Sequence, residues 1–424
     1  MLKQLETYNI GPASMKMDFS ERLNIFTGDN GLGKSFLLDV VWYALTHKWP
    51  SEVNPNLAGN LVALPSNPSQ KAKITFGIKG KTGRLIDYSS EFDRKSQSWK
   101  GQAGRPVNPG LVLYALADGS FAVWDPARNY WKKKGNIDIQ DRLPSYVFTM
   151  KEIWDGLKSG DKYLCNGLIA DWASWQREQS KEYKMLCGTL ETLSNREEKI
   201  TPGPLKRISL DDARDIPTLE TSYGQVFVLH ASSGVRRILG LAYLLTWAWK
   251  EHTVACDLLG EEKTPQITFL FDEVEAHLHP KWQRTIVPAL LKVMEHISEG
   301  TDVQLITATH SPLVLASLEP FFDSRQDTWF DLNFSDSKVT LEKMVFEKHG
   351  DVSSWLTSPA FDLQNAGSVE LENAFRDFEN AITRDCITPE SAKEFEKRFA
   401  SLLDEADPFW IRWRYIAEKK GWSK

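Results

Sequence analysis

The chain has 424 residues, 42% of them hydrophobic and 25% charged, with a formal net charge of -6. That length holds a core large enough to position a buried site, while the mildly acidic balance argues against sequence-independent coating of nucleic acid and leaves room only for a local basic patch. Cys165, Cys187, Cys256 and Cys386 stand far apart without a CxxC pair, as unpaired thiols of a reducing compartment do. The N-terminus lacks an apolar signal core, and the longest apolar stretch, Ile238 to Trp249, is too short to span a bilayer. A cytoplasmic protein without membrane insertion is expected.

Taken in chain order, Met15 to Phe19 alternates apolar and polar residues, and Leu23 to Thr27 is an apolar run that leads through a glycine-rich loop into a helical pattern ending at Leu45. This reads as strand, strand, loop, helix. From Lys71 to Trp131 come short β-type runs, Lys73 to Phe76, Leu111 to Tyr114 and Phe121 to Trp124, split by Gly, Pro, Asn and Asp clusters, which predict an antiparallel β lobe. From Lys151 to about Ser194 the period becomes helical, and Pro202-Gly203-Pro204 closes that helical lobe. A second α/β block follows: helix Val235 to Trp249, strand Gln266 to Phe271, helix Pro280 to His296, strand Val303 to Ile306 and helix Leu313 to Leu318. Strands alternating with helices imply a parallel sheet. The charged, amphipathic tail from Ser368 predicts two or three terminal helices. The expected division is 1–150 for the first half with its β lobe, 151–220 for the helical lobe, 221–350 for the second α/β block and 351–424 for the helical extension.

Gly28-Asp29-Asn30-Gly31-Leu32-Gly33-Lys34-Ser35 fits the phosphate-loop pattern GxxxxGK[ST], between a predicted strand and a predicted helix. Glycines at 28, 31 and 33 let backbone N–H groups, including that of Asn30, turn inward around phosphates, and the helix N-terminus adds positive potential. Lys34 then reaches the β and γ oxygens and the Ser35 hydroxyl ligates Mg²⁺. The run Ile267-Thr268-Phe269-Leu270-Phe271-Asp272-Glu273 is an apolar strand ending in two carboxylates, which a parallel sheet delivers to its C-terminal edge. Asp272 is the expected metal carboxylate. Glu273 leaves the strand at another angle and suits the orientation or deprotonation of the attacking water.

Two further segments narrow the reading. Thr309-His310-Ser311-Pro312, after the apolar strand Val303 to Ile306, resembles the switch histidine of ABC-type ATPases, and Ala231-Ser232-Ser233-Gly234-Val235-Arg236-Arg237 resembles a divergent ABC signature. The run Asp272-Glu273-Val274-Glu275-Ala276-His277-Leu278-His279-Pro280 resembles the DExEAHLHP form of SMC-like ATPases of the overcoming-lysogenization-defect group and related prokaryotic defence ATPases. Val147-Phe148-Thr149, Ile153-Trp154-Asp155-Gly156-Leu157 and Asp407-Pro408-Phe409-Trp410 resemble stand-alone members of that group. The resemblance implies an ABC-type ATPase head: α/β, with a mostly parallel sheet core, an antiparallel β lobe, a helical lobe and a helical C-terminal tail. It also implies ATP and Mg²⁺ as ligands, and a homodimer that sandwiches two ATPs. In that arrangement His310 contacts the γ-phosphate, while Ser232 and Gly234 cap the γ-phosphate held by the other subunit. A separately encoded effector such as a nuclease is the implied partner.

The signature is not LSGGQ, and the glutamine that links Mg²⁺ to lobe motion in this class has no clear counterpart; the stretch Val147 to Trp154 is its expected place. No long heptad insertion separates the two halves, against a DNA-tethering coiled-coil machine. His277 and His279 lack the further partners of a zinc site at the usual spacings. Glu275 either joins the nucleotide site or caps the next helix. Arg236 and Arg237 either reach a phosphate across a dimer or form a solvated helix face. Arg412 and Arg414 among Trp410, Trp413 and Tyr415 have the composition of a stacking surface for nucleic acid, but their helical spacing favours core packing. Competing functions are the ATPase subunit of a membrane transporter and a DNA-repair or chromosome-associated ATPase.

Overall fold

The computed structural model describes residues 1–424 apart from 13, 58–61, 81–82, 102–105, 131–132, 135–136, 139–141, 196, 336–337, 362, 364, 385 and 423–424. The chain divides into two compact units, Met1–Lys348 and His349–Lys424.

The first unit is built on an eight-stranded sheet. Its middle is parallel. The acidic strand Gln266–Phe271 lies between Leu111–Ala115 and Asp302–Ala308, the latter pairs with the phosphate-loop strand Leu23–Gly28, and that strand pairs with Asp327–Ser335. Every residue of Gln266–Phe271 is buried, as expected of a parallel strand covered on both faces. Antiparallel strands finish both edges: Phe121–Trp124 and Tyr146–Phe148 on one side, Lys338–Met344 on the other. The helix Lys34–Thr46 packs on the sheet through Leu37, Leu38, Val41, Trp42 and Leu45. The parallel register sends the ends of Leu23–Gly28, Gln266–Phe271 and Asp302–Ala308 to the same edge, where open α/β sheets bind ligands.

The β lobe differs from the expected one in membership. It is a five-stranded antiparallel sheet, ordered Lys16–Asp18, Leu2–Tyr8, Lys73–Lys79, Leu85–Asp93, Ser98–Lys100. The runs at Leu111 and Phe121 belong instead to the central sheet. All five residues of Leu111–Ala115 are buried, so the strand reads as continuous apolar rather than alternating, and two-faced burial is what the central sheet offers.

The helical lobe comprises Met150–Asp155, Leu168–Glu178 and Lys181–Leu193, with a hairpin, Leu157–Ser159 and Lys162–Cys165, where a continuous helical pattern was expected. A small three-stranded sheet, Thr201–Pro202, Thr218–Thr221 and Gly224–Phe227, precedes the helix Ser233–Leu259. That helix is longer than its apolar stretch predicts, starting at the Ser232 cap and ending at Gly260. The expected helix Pro280 to His296 is two, Pro280–Gln283 and Ile286–Ile297, because Thr285 leaves helical geometry and its N–H and hydroxyl both return to the Trp282 carbonyl. Among the described residues no helix is long and apolar enough to cross a membrane.

The second unit contains the helices Val369–Thr383, Pro389–Ala400 and Phe409–Lys420 around Leu371, Ala374, Phe378, Phe399 and Trp413. Trp413 packs at 5.2 Å from Phe378, Trp410 donates its indole N–H to the Asp404 carbonyl, and Tyr415 is exposed.

Candidate active site

The phosphate loop turns on three glycines with positive φ, Gly28, Gly31 and Gly33. A Cβ on Gly28 would stand 2.3 Å from the Leu332 carbonyl oxygen, and one on Gly33 would stand 2.8 Å from the Pro12 ring, so both positions exclude a side chain. Asp29, Asn30 and Gly31 are exposed at the loop's crest, and Gly33 starts the helix Lys34–Thr46. Lys34 is buried. Its Nζ donates to the carbonyls of Gly28 at 2.6 Å and Asp29 at 2.8 Å, which places the ammonium in the mouth of the loop. Burial pushes it down to about 8, against the pull of Asp272, Asp29, Glu275 and Glu273.

Asp272 continues the acidic strand, with its N–H donating to the Ala115 carbonyl at 2.9 Å. Asp272 is 2% exposed, and the Ser35 hydroxyl lies beside its carboxylate. Burial raises it to about 6; the Ser35 hydroxyl, Arg237 and Lys34 oppose that rise and Glu273 adds to it. The Asp272 Oδ1 atom has no hydrogen-bond partner among the described residues. A hydroxyl and a carboxylate with a free buried oxygen are hard donors of the kind Mg²⁺ takes when a substrate's phosphates and water complete its shell. The residues present therefore fit that ion.

Glu273 is half-buried and holds a left-handed backbone at φ 47°, unusual for a residue with a long side chain. Its carbonyl accepts the Ala276 N–H at 2.9 Å, and Val274 N–H reaches the Ala308 carbonyl at 3.3 Å. Glu275 does not cap the next helix. Its carboxylate accepts the Thr309 hydroxyl at 2.8 Å and the His310 N–H at 2.5 Å, tying the acidic loop to the switch segment. The cap of Pro280–Gln283 is His279, whose Nδ1 accepts the Lys281 N–H. His310 in turn lies beside the Gly28 backbone. Burial and then Lys34 lower its pKa, while Glu273, the Gly28 backbone and Asp29 oppose them. Gly28, Lys34, Ser35, Asp272, Glu273 and His310 are thus assembled in one place.

Ser232 and Gly234 occupy the entry of the helix Ser233–Leu259. The Ser232 hydroxyl accepts the Val235 N–H, and Gly234 lies so close to the loop after the acidic pair that a Cβ would stand 2.6 Å from the His277 carbonyl oxygen. Arg236 lies over the Trp154 ring at 5.0 Å. Arg237 does not lie on a solvated helix face. It is buried, and its guanidinium donates to the carbonyls of Ala117 at 2.9 Å and of Asp272 and Glu273 at 3.2 Å each. In the stretch Val147 to Trp154, the place expected for the lid glutamine, the engaged side chain is Glu152, which accepts from Thr149 and Asn54.

Two residues at the site were missed. Asp39, on the phosphate-loop helix, accepts the Tyr114 hydroxyl at 3.0 Å and is pushed up to about 7 by burial, with Asp272 and Asp118 adding to the effect. Asp39 follows Ser35 by one helical turn, a spacing that puts both on one face and was available to read. Tyr114 had no such signal, since its place depends on pairing with Leu270 of the acidic strand.

Residues 9–143 match the family described as "AAA domain", and residues 181–316 match the family described as "AAA domain, putative AbiEii toxin, Type IV TA system". The chain is 23% identical to "Retron Ec83 probable ATPase" of Escherichia coli over an alignment covering 99% of this chain and 86% of that protein. It is 24% identical to "Septu protein PtuA" of Bacillus thuringiensis, covering 74% and 72% of the two chains. Among solved structures, the Smc head bound to the C-winged helix domain of ScpA aligns with a TM-score of 0.42 at 13% identity, covering 82% of this chain and 98% of that one. The recombination mediator RecF aligns with a TM-score of 0.38 at 14% identity, covering 81% and 98%. The chain carries AAA-type P-loop ATPase domains and is homologous to the retron ATPase and to Septu protein PtuA.

Proposed function

We propose that the protein is an ATP-binding and hydrolysing molecular switch of ABC type. It works in the cytoplasm as the ATPase component of an anti-phage defence system and controls a separately encoded effector such as a nuclease. The observation that carries the enzymatic part is the Ser35–Asp272 contact, with Lys34, Glu273 and His310 around it. The defence role follows from the homology to retron and Septu proteins.

In this reading the loop's N–H groups and Lys34 hold the β and γ phosphates, and Ser35 and Asp272 hold Mg²⁺. Held there, the ion would supply neutralisation of charge developing on the phosphoryl oxygens. Glu273 orients the attacking water and accepts its proton, a task Asp272 does not share while bound to the metal. His310 donates to the γ-phosphate from its seat on Gly28. Ser232 and Gly234 meet the phosphate of a second copy when two chains close on two ATPs, and hydrolysis reopens them.

The test is Mg²⁺-dependent phosphate release by the purified protein, and phage plating on cells that carry the gene with its genomic neighbours. Release and protection should both vanish in Lys34→Ala. A parent protein that neither binds nor hydrolyses Mg·ATP sinks the enzymatic reading; a parent that gives no protection sinks the defence role, and full protection by Lys34→Ala sinks its dependence on nucleotide.

A further inference from the structure

The helix Ser233–Leu259 touches the loop after the acidic strand at two points one turn apart. Gly234 rests against the His277 carbonyl, and Arg237 donates both Nη2 hydrogens to the carbonyls of Asp272 and Glu273. Two contacts join the helix entry to the loop that carries the acidic pair. Arg237 Nη1 adds a third segment, the turn after Leu111–Ala115, through the Ala117 carbonyl. Arg237 also lines a largely apolar cavity with Leu116, Met150, Trp154, Leu241 and Phe271. Glu273 keeps its left-handed backbone only while the peptide groups around it are held, and two of the three Arg237 bonds fall on the carbonyls that bracket its N–H and follow its Cα.

From these contacts we infer that Arg237 is a positioning residue for hydrolysis: it sets the backbone that aims the Glu273 carboxylate and links that aim to the helix whose first turn carries Ser232 and Gly234. The inference rests on the ATPase reading given above. Lysine cannot substitute, because a single ammonium on a flexible stem does not span three carbonyls on two segments as a planar fork does.

The experiment is steady-state ATP hydrolysis and nucleotide binding by Arg237→Lys beside the parent, with thermal melts of both. A misaimed carboxylate lowers kcat roughly tenfold to a hundredfold, with KM and ATP affinity unchanged. Arg237→Ala supplies a second readout: ethylguanidinium ion restores part of its lost kcat. Parental kcat in Arg237→Lys overturns the inference. So does a parallel fall of kcat, ATP affinity and Tm in that variant, which marks the arginine as structural only. A parent without ATPase activity removes both readings; an active parent with an indifferent Arg237→Lys removes this one alone.

Discussion

The Ser35 hydroxyl lies beside the Asp272 carboxylate and opposes the rise of its pKa, although one residue opens the first helix of the sheet and the other ends a strand from the far half of the chain. The contact depends on the strand Asp302–Ala308, which lies between their two strands and pairs in parallel with both. It predicts a metal-specific defect. Ser35→Ala should weaken ATP binding roughly tenfold or more when Mg²⁺ is present, and leave metal-free binding near the parent's. Titration with and without chelator reads the difference; equal losses in both conditions would remove Ser35 from the metal.

Glu273→Gln keeps the shape of the side chain and loses its basicity. Turnover should fall on the order of a hundredfold to ten-thousandfold, while ATP binding persists and the closed dimer accumulates. Light scattering after size-exclusion chromatography in ATP measures this. A protein that stays monomeric at every concentration is incompatible with the sandwich.

Glu275 holds two donors, the Thr309 hydroxyl and the His310 N–H. Glu275→Gln turns an N–H₂ group toward one of them, so the His310 segment must shift. We expect kcat to drop about tenfold, the scale of one charge-assisted hydrogen bond, with little change in ATP affinity. Unchanged kcat means that the carboxylate does not set the switch segment.

Gly234→Ala tests packing. The new methyl would lie 2.6 Å from the His277 carbonyl oxygen, a backbone atom that cannot swing away. Overpacking of this kind costs about 1–3 kcal/mol, and urea denaturation should show it even without nucleotide. Parental stability would place the helix entry further from the loop.

His47 ends the phosphate-loop helix at φ 59°, packed against Phe76 and Tyr88. Burial pushes its pKa from 6.5 down to about 4. The folded state therefore refuses a proton that the unfolded chain accepts, so this stability is present above pH 6.5 and is lost as the pH falls toward 4. Between pH 7 and pH 5 the loss is about 2 kcal/mol. His47→Asn, which tolerates the left-handed conformation, should flatten that part of the pH–stability curve. An identical acid slope in parent and variant assigns the slope to other groups.

The phosphate loop and the acidic pair were legible in the sequence because each is a local device, whereas Thr309 to Pro312 stood out only by resemblance. Glycines at fixed offsets dictate a turn, and an apolar run closed by two carboxylates dictates a buried strand with a charged end. The α/β class was legible for the same reason, from strands and helices alternating along the chain. Only tertiary structure decided that Leu111–Ala115 flanks the acidic strand, that Tyr114 thereby meets Asp39, that Glu275 holds the Thr309–His310 segment, and that Arg237 is buried against the backbone of the acidic pair. These facts depend on which strands pair and on how closely one helix approaches one loop. An arginine on a helix carries no mark of whether water or three backbone carbonyls will receive its protons, since the acceptors come from segments distant in sequence.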